Sequence, residues 1–175
     1  LDKILDGYSK GVDKILFDLC ISSLQVDNRD RGFSFMKEGP LDMRMDRTNQ
    51  LTAKEIVNRF SFPELEKIIK EYGEEKYSRR IAESIVTRRR IKKYETTGEL
   101  VKTIIEAVPA FRQRQTIHPA TRTFQALRMY VNDELGALSV GLEKGLSRIN
   151  PQGRMVVISF HSLEDRIVKR KFLQM

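Results

Sequence analysis

The chain reads as an α/β protein interrupted by an all-helical segment. Two apolar runs, Ile15-Leu-Phe17 and Met155-Val-Val-Ile158, each stop at polar residues as buried strands do. The strongest helical periodicity in the chain lies just before the second run, and strand, long helix, strand is the order of a right-handed crossover in a parallel sheet. The middle third carries helix signals and no strand signal, as an inserted bundle would.

Residues 1–11 read as the end of a helix closed by Gly11, with Ile4 and Leu5 on its buried side. The first strand is expected at 14–19. It stops at Asp18 and breaks into Ile21-Ser-Ser-Leu-Gln25, so Asp18, Ser22, Ser23 and Gln25 are expected at the rim of a crevice beyond the strand's carboxyl end. Residues 25–50 form a long irregular stretch, a length that is functional or disordered in most compact proteins.

Four short helices follow. Thr52 caps 53–60, and Ser61 with Glu64 makes a capping box for a helix stopped by Gly73. Residues 74–90 place Tyr77, Ile81 and Ile85 on one stripe, and Thr96 with Glu99 makes a second capping box for a helix ending before Pro109. Pro119 opens a long helix whose stripe runs Phe124, Leu127, Val131, Leu135, Leu138, Leu142, Leu146, Ile149. A turn at Asn150-Pro-Gln-Gly153 leads into the second strand, 154–159. Ser162 with Asp165 is expected to cap a final helix.

The 175 residues suit one domain with an insertion, and 40% hydrophobic content is enough for a packed core. No apolar stretch is long enough to span a bilayer, so no membrane partner is expected. A single cysteine, Cys20, fits a reducing cytoplasmic setting. Leu1 in place of methionine suggests processing or a fragment of a longer protein. The net charge is +8, and residues 76–94 carry eight basic residues against one acid, Glu83. A second run, 112–128, holds four arginines and no acid. One solvated helix face would be the ordinary explanation of a single run. Two arginine-rich clusters favour a polyanion, and the candidate contacts are Arg79, Arg80, Arg88, Arg89, Arg90, Lys92, Lys93, Arg112, Arg114 and Arg122.

There is no G-x-G-x-x-G and no P-loop, and without nucleophile-elbow glycines around Ser22-Ser23 no hydrolase triad is expected. His118 and His161 have no acidic partner at metal-site spacing, so no metal is expected. Asp18 at its strand end either accepts hydrogen bonds from an amine or a ribose, or caps the backbone of its own loop. His161 either contacts a base or phosphate, or is a satisfied, half-buried histidine.

Six ordered segments then stand out: Asp18-Leu-Cys-Ile-Ser-Ser, Arg31-Gly-Phe-Ser-Phe, Gly39-Pro-Leu-Asp-Met-Arg-Met-Asp46, Tyr72-Gly-Glu-Glu-Lys76, His118-Pro-Ala-Thr-Arg-Thr-Phe-Gln-Ala126, and Val157-Ile-Ser-Phe-His-Ser-Leu-Glu-Asp-Arg-Ile-Val-Lys169. Over nearly its whole length the chain resembles the MraW family, the methyltransferases H of small-subunit ribosomal RNA. The resemblance implies an S-adenosyl-L-methionine-dependent enzyme that methylates the exocyclic N4 of a cytidine in 16S rRNA. It also implies a partial class I, Rossmann-like sheet with an inserted helical substrate-recognition domain: core at 1–31, insertion with its leading loop at 32–117, core again at 118–175. Asp18 and Gln25 carry over as methyl-donor contacts. Asp18, Ser22 and Ser23, with His161 and Ser162 opposite, are the candidate catalytic lining.

Three departures accompany the resemblance. Family members begin with a glycine-rich loop and a ribose-holding strand that precede this stretch, Cys20 replaces the family's glycine after Asp-Leu, and a C-terminal Asn-Pro-Arg-Ala-Arg segment is missing. The chain is therefore expected to be an incomplete copy. The competing reading is a non-catalytic RNA- or ribosome-binding remnant. The expected partner is small-subunit rRNA or the 30S subunit, and an exposed sheet edge invites a homodimer.

Overall fold

The computed structural model describes residues 11–113 and 116–174. Residues 1–10, which include most of the expected N-terminal helix end, and Arg114 lie outside the described residues. The chain divides into two compact units, one of residues 1–21 with 133–175 and one of residues 22–132. Among the described residues no helix is long and apolar enough to cross a membrane.

The first unit holds two parallel strands, β1 (Val12–Asp18) and β2 (Ile149–Ile158), paired from Ile15 opposite Met155 through Asp18 opposite Ile158. The turn expected at Asn150-Pro-Gln-Gly153 is an irregularity inside β2: Val12 faces Ile149 and Lys14 faces Arg154, so the intervening residues bulge out, with Gln152 at φ 67°. β1 does not read as a strand buried on both faces. Ile15, Phe17, Met155 and Val157 are half-buried, whereas Leu16 (66% exposed), Val156 and Ile158 lie open, because a helix covers one face of this ladder.

That helix, Glu134–Arg148, passes close to the sheet through Gly141 and Gly145. A Cβ added at Gly145 would sit 2.6 Å from the Met155 methyl and 3.3 Å from the Phe17 ring. A last helix, Ser162–Phe172, packs against it. Acids in its first turn and basic residues in its last complement the helix dipole.

The helical unit holds α1 (Ser23–Asp27), α2 (Ala53–Arg59), α3 (Phe62–Glu71), α4 (Ser78–Arg88), α5 (Thr97–Ala107), α6 (Ala110–Gln113) and α7 (Thr121–Val131). The first unit's helices are then α8 (Glu134–Arg148) and α9 (Ser162–Phe172). The caps expected in the helical unit are present: Thr52 Oγ1 accepts from Glu55 N–H at 3.1 Å, and capping boxes join Ser61 to Glu64 and Thr96 to Glu99. α4 begins four residues later than expected, because Glu74 takes a left-handed φ of 48°. The core is apolar where α3, α4, α5 and α7 meet: Leu65, Ile69, Ile81, Ile85, Leu100, Ile104 and Leu127 are all buried. Each such side chain contributes about 1.5–3 kcal/mol.

The long stretch after α1 is ordered by backbone pairing. Thr97 N–H donates to Gly39 O at 2.8 Å, Leu41 N–H to Glu95 O at 3.2 Å and Ala53 N–H to Asp42 O at 2.9 Å, while Leu41 and Met43 are buried. Gly32, at φ 66°, lies so near Pro40 that a Cβ would collide with its carbonyl oxygen. A second tie is reciprocal and buried: Asn58 Nδ2 donates to Tyr94 O at 2.8 Å, and Tyr94 N–H donates to Asn58 Oδ1 at 2.9 Å.

One expected helix is two. The 124–149 stripe breaks at Asn132-Asp133, where Asp133 has φ 46°. The Asn132 amide donates to Met43 O and Arg128 O, both at 2.8 Å, and accepts from Met45 N–H at 2.6 Å. Those bonds hold the end of α7 against the Gly39–Asp46 motif. By contact, residues 22–31 and 118–132 fall in the helical unit.

The Glu95 N–H, the Lys92 ammonium and the Thr96 N–H hold the Glu99 carboxyl down to about 2 against burial. A carboxylate depressed in the fold adds stability that is fully present above the ordinary glutamate range and is lost as pH falls from about 4.5 toward about 2. Glu99→Gln should therefore lower stability at neutral pH and flatten the acid limb of urea midpoints across that window. An unchanged limb would remove this carboxylate from the acid response.

Candidate active site and nucleic-acid interface

Parallel pairing brings the carboxyl ends of β1 and β2 to one edge. Asp18 stands opposite Ile158, and the ladder continues one step, with Leu19 N–H donating to Ile158 O at 3.2 Å. Asp18 is exposed at this edge, and its Oδ1 accepts the Cys20 N–H at 3.1 Å. The carboxylate thus caps its own turn with one oxygen while standing open at the rim. Cys20, also exposed, turns its thiol back to the Ile21 carbonyl.

At the end of β2, Ser159-Phe-His161 leads into α9. The cap of this helix is His161, not Ser162: His161 Nδ1 accepts from Glu164 N–H at 3.4 Å. An acceptor at Nδ1 puts the proton of the neutral ring on Nε2, which lies 3.1 Å from Glu164 Oε1. Glu164, 5% exposed, also accepts the Phe160 N–H at 2.8 Å. Burial works to raise Glu164, but the His161 side chain and the Phe160 N–H outweigh it and leave the carboxyl below the usual range. His161 is therefore half-buried and engaged within its own turn, and Ser162 is exposed on the first turn of α9. Glu164 is the organising residue here. Its spacing of three from His161 was the available signal.

Asp18, His161 and Ser162 belong to the strand unit; Ser22, Ser23 and Gln25 belong to the helical unit, the chain crossing over between Ile21 and Ser22. Ser22 precedes α1 and accepts from Gln25 N–H at 3.0 Å through its carbonyl, and both serine side chains are exposed. Among the described residues no three histidine, cysteine or acidic side chains gather as metal ligands.

The cationic residues separate into two groups. Arg89 donates to Val57 O at 2.8 Å, with its pKa lowered by burial and by Arg90. Arg112 is 7% exposed and donates to Ile117 O at 3.1 Å, so it is no open surface contact as the composition suggested. Arg88 pairs with Glu106 and Lys92 with Glu99, and Arg122 donates to Glu74 O at 2.8 Å. By contrast Lys76, Arg79, Arg80, Arg90 and Lys93 are exposed, Arg79 lying over the Phe62 ring and Lys93 reaching Asn58 O at 3.4 Å. Half of the expected polyanion contacts are thus bound up in the fold's own polar ties.

A parallel strand pair with an acid at its carboxyl edge, and a separate helical unit with exposed cations, define an α/β protein. The chain belongs to the MraW methylase family, whose sequence profile matches residues 2–175. It is 54% identical over 160 residues to the ribosomal RNA small subunit methyltransferase H of Symbiobacterium thermophilum, covering 91% of this chain and 50% of that protein. It is 53% identical to the like-named protein of Halothermothrix orenii (98% and 56%) and 54% identical to that of Clostridium botulinum strain Kyoto (100% and 57%). The chain therefore spans about half the length of the curated relatives it matches.

The two groups of cations make separable predictions. Arg89→Ala should lower the urea-unfolding free energy by about 1–3 kcal/mol, since it strips a charged donor from the Val57 carbonyl. Arg90→Ala should stay within about 0.5 kcal/mol of the parent. Equal losses would show that the division by exposure is wrong.

Proposed function

We propose that this chain carries part of a class I, S-adenosylmethionine-dependent methyltransferase sheet and its inserted substrate-recognition helices, acting on the N4 amine of a cytidine in small-subunit rRNA in the cytoplasm. The observation that carries the reading is the shared carboxyl edge of β1 and β2, where Asp18 stands open opposite Ile158. Ligands of open α/β sheets bind beyond such an edge. Membership of a methylase family supplies the chemistry, and the exposed cations of residues 76–93 supply the grip on RNA phosphates.

The residues at this edge fit a donor bearing hydroxyl, ammonium and amine groups. An exposed carboxylate with one oxygen already fixed by the Cys20 N–H is held in place and accepts further donors. Asp18 and Gln25 would hold the donor by motif, and a bound donor contributes a methyl group activated by an adjacent positive sulfur. The protein's own task is orientation. Cytosine N4 is a weak nucleophile because its lone pair is delocalised into the ring, so the amine must be turned in line and its N–H groups must find acceptors. Asp18, Ser22 and Ser23 are the proposed acceptors, and Ser162 the proposed contact to base or sugar. His161 takes a positioning role: its ring and Glu164 fix the Ser159–Ser162 turn. The target base must be unpaired or flipped out to be reached.

Calorimetric titration with S-adenosylmethionine tests this directly. The parent chain should bind, and Asp18→Ala should weaken binding by about tenfold or more, the effect of losing a charged acceptor. Absence of binding, or an indifferent variant, would overturn the reading of the edge. Single-stranded RNA affinity should fall steeply with salt, and the pair Arg80→Glu and Arg90→Glu should flatten the log–log slope by about one for each lost phosphate contact. An unchanged slope would place the RNA elsewhere.

A further inference from the structure

Independently of the RNA reading, we infer that the helical unit carries a docking recess for an acidic peptide segment with one aliphatic anchor, between the turn that follows α4 and the side of α5. The recess, of about 420 Å³, lies wholly within that unit, with Tyr94 and Thr103 at its floor and Ile91, Lys93 and Lys102 at its mouth. It is large enough to take a protruding side chain.

Charge complementarity sets the partner's sign. Arg88, Lys92, Lys93 and Lys102 line the recess against a single acid, Glu99. Glu99 is taken by Lys92 at 2.6 Å, and Arg88 pairs with Glu106. Lys93 and Lys102 remain exposed, Lys93 making only a long bond of 3.4 Å to Asn58 O. Two ammonium groups at the mouth therefore call for carboxylates or phosphates. The apolar surface decides between them. Tyr94 is the one ring among the lining residues; it is 4% exposed, and its hydroxyl lies 2.8 Å from Thr103 Oγ1. Buried and tied in this way, it offers no open face on which a base could stack, which is what single-stranded RNA seeks. Ile91, by contrast, is 89% exposed at the mouth. A lone open isoleucine is ordinary, but this one stands beside a recess whose walls include the aliphatic stems of Arg88 and Lys92. A sugar–phosphate chain brings nothing apolar to fill it, and a flat lipid surface would meet Ile91 and leave the recess empty. An acidic peptide satisfies every part: its anchor enters against Tyr94 and Ile91, and its carboxylates meet Lys93 and Lys102.

Fluorescence anisotropy with the full chain and a labelled, acetylated peptide in which leucine is flanked by glutamates and aspartates tests the recess. The chain should bind this peptide, and the same peptide with glycine in place of leucine should bind about tenfold more weakly. Lys102→Glu and Ile91→Ser, both at exposed positions, should each weaken the leucine peptide about threefold or more without moving the thermal midpoint. Neither should change the affinity for single-stranded RNA, since Lys102 and Ile91 lie outside the cations proposed to grip it. Absence of peptide binding, equal affinity for the glycine peptide, or unchanged affinity in either variant would overturn the inference. An equal loss of peptide and RNA binding in Lys102→Glu would give these cations to RNA and overturn it too, as would binding to phosphatidylglycerol vesicles that Ile91→Ser abolishes while the peptide stays unbound. Failure of the peptide with salt-dependent RNA binding intact removes the recess alone; loss of RNA binding with the peptide still bound removes the RNA reading alone.

Discussion

Parallel pairing of two short strands is the constraint on which the proposed site depends. Antiparallel strands would send Asp18 and the Ser159–Ser162 turn to opposite ends; the parallel ladder, in step from Ile15 to Asp18, delivers both to one edge. The ladder is held from one side. Gly141 and Gly145 let α8 approach until Phe17 and Met155 fill the space where side chains of the helix would otherwise stand. Close packing beneath the sheet and open polar groups at its edge are two outcomes of one arrangement, and the Cys20 N–H then fixes the Asp18 carboxylate in the turn that leaves it.

The helical unit solves a different problem, that of carrying much positive charge without losing its fold. Part of that charge is absorbed structurally: Arg89 and Arg112 terminate backbone carbonyls, while Arg88 and Lys92 meet acids on α5. Exposed ion pairs of this kind add little stability each, but they fix which cations remain outside. Lys76, Arg79, Arg80, Arg90 and Lys93 are left on the surface, where a phosphate backbone can meet them. Partners within the fold, rather than composition, therefore mark which cations serve as scaffold.

What was legible in the sequence was local. Thr52, Ser61 with Glu64, and Thr96 with Glu99 cap their helices through partners three residues away, so the pattern alone placed them. The two strands were legible because their apolar runs are short and end in polar turns. What was not legible depends on distant partners. The break between α7 and α8 is invisible in an apolar stripe that continues across it, because it follows from Asn132 bonding to Met43 and Met45, nearly ninety positions away. The order of the 32–50 stretch rests on pairing with residues 95–97. At the site, Asp18 stood where its strand end implied, but His161 proved to be the cap of α9 because Glu164, overlooked in the sequence, claims both its ring and the Phe160 N–H.

Amide hydrogen exchange with each ligand added separately tests the division of labour between edge and helices most directly. S-adenosylmethionine should slow exchange in residues 18–21 and 159–162 and leave 76–93 unchanged, while single-stranded RNA should slow 76–93. Donor-dependent protection confined to the helical unit, or none at either strand end, would contradict the account.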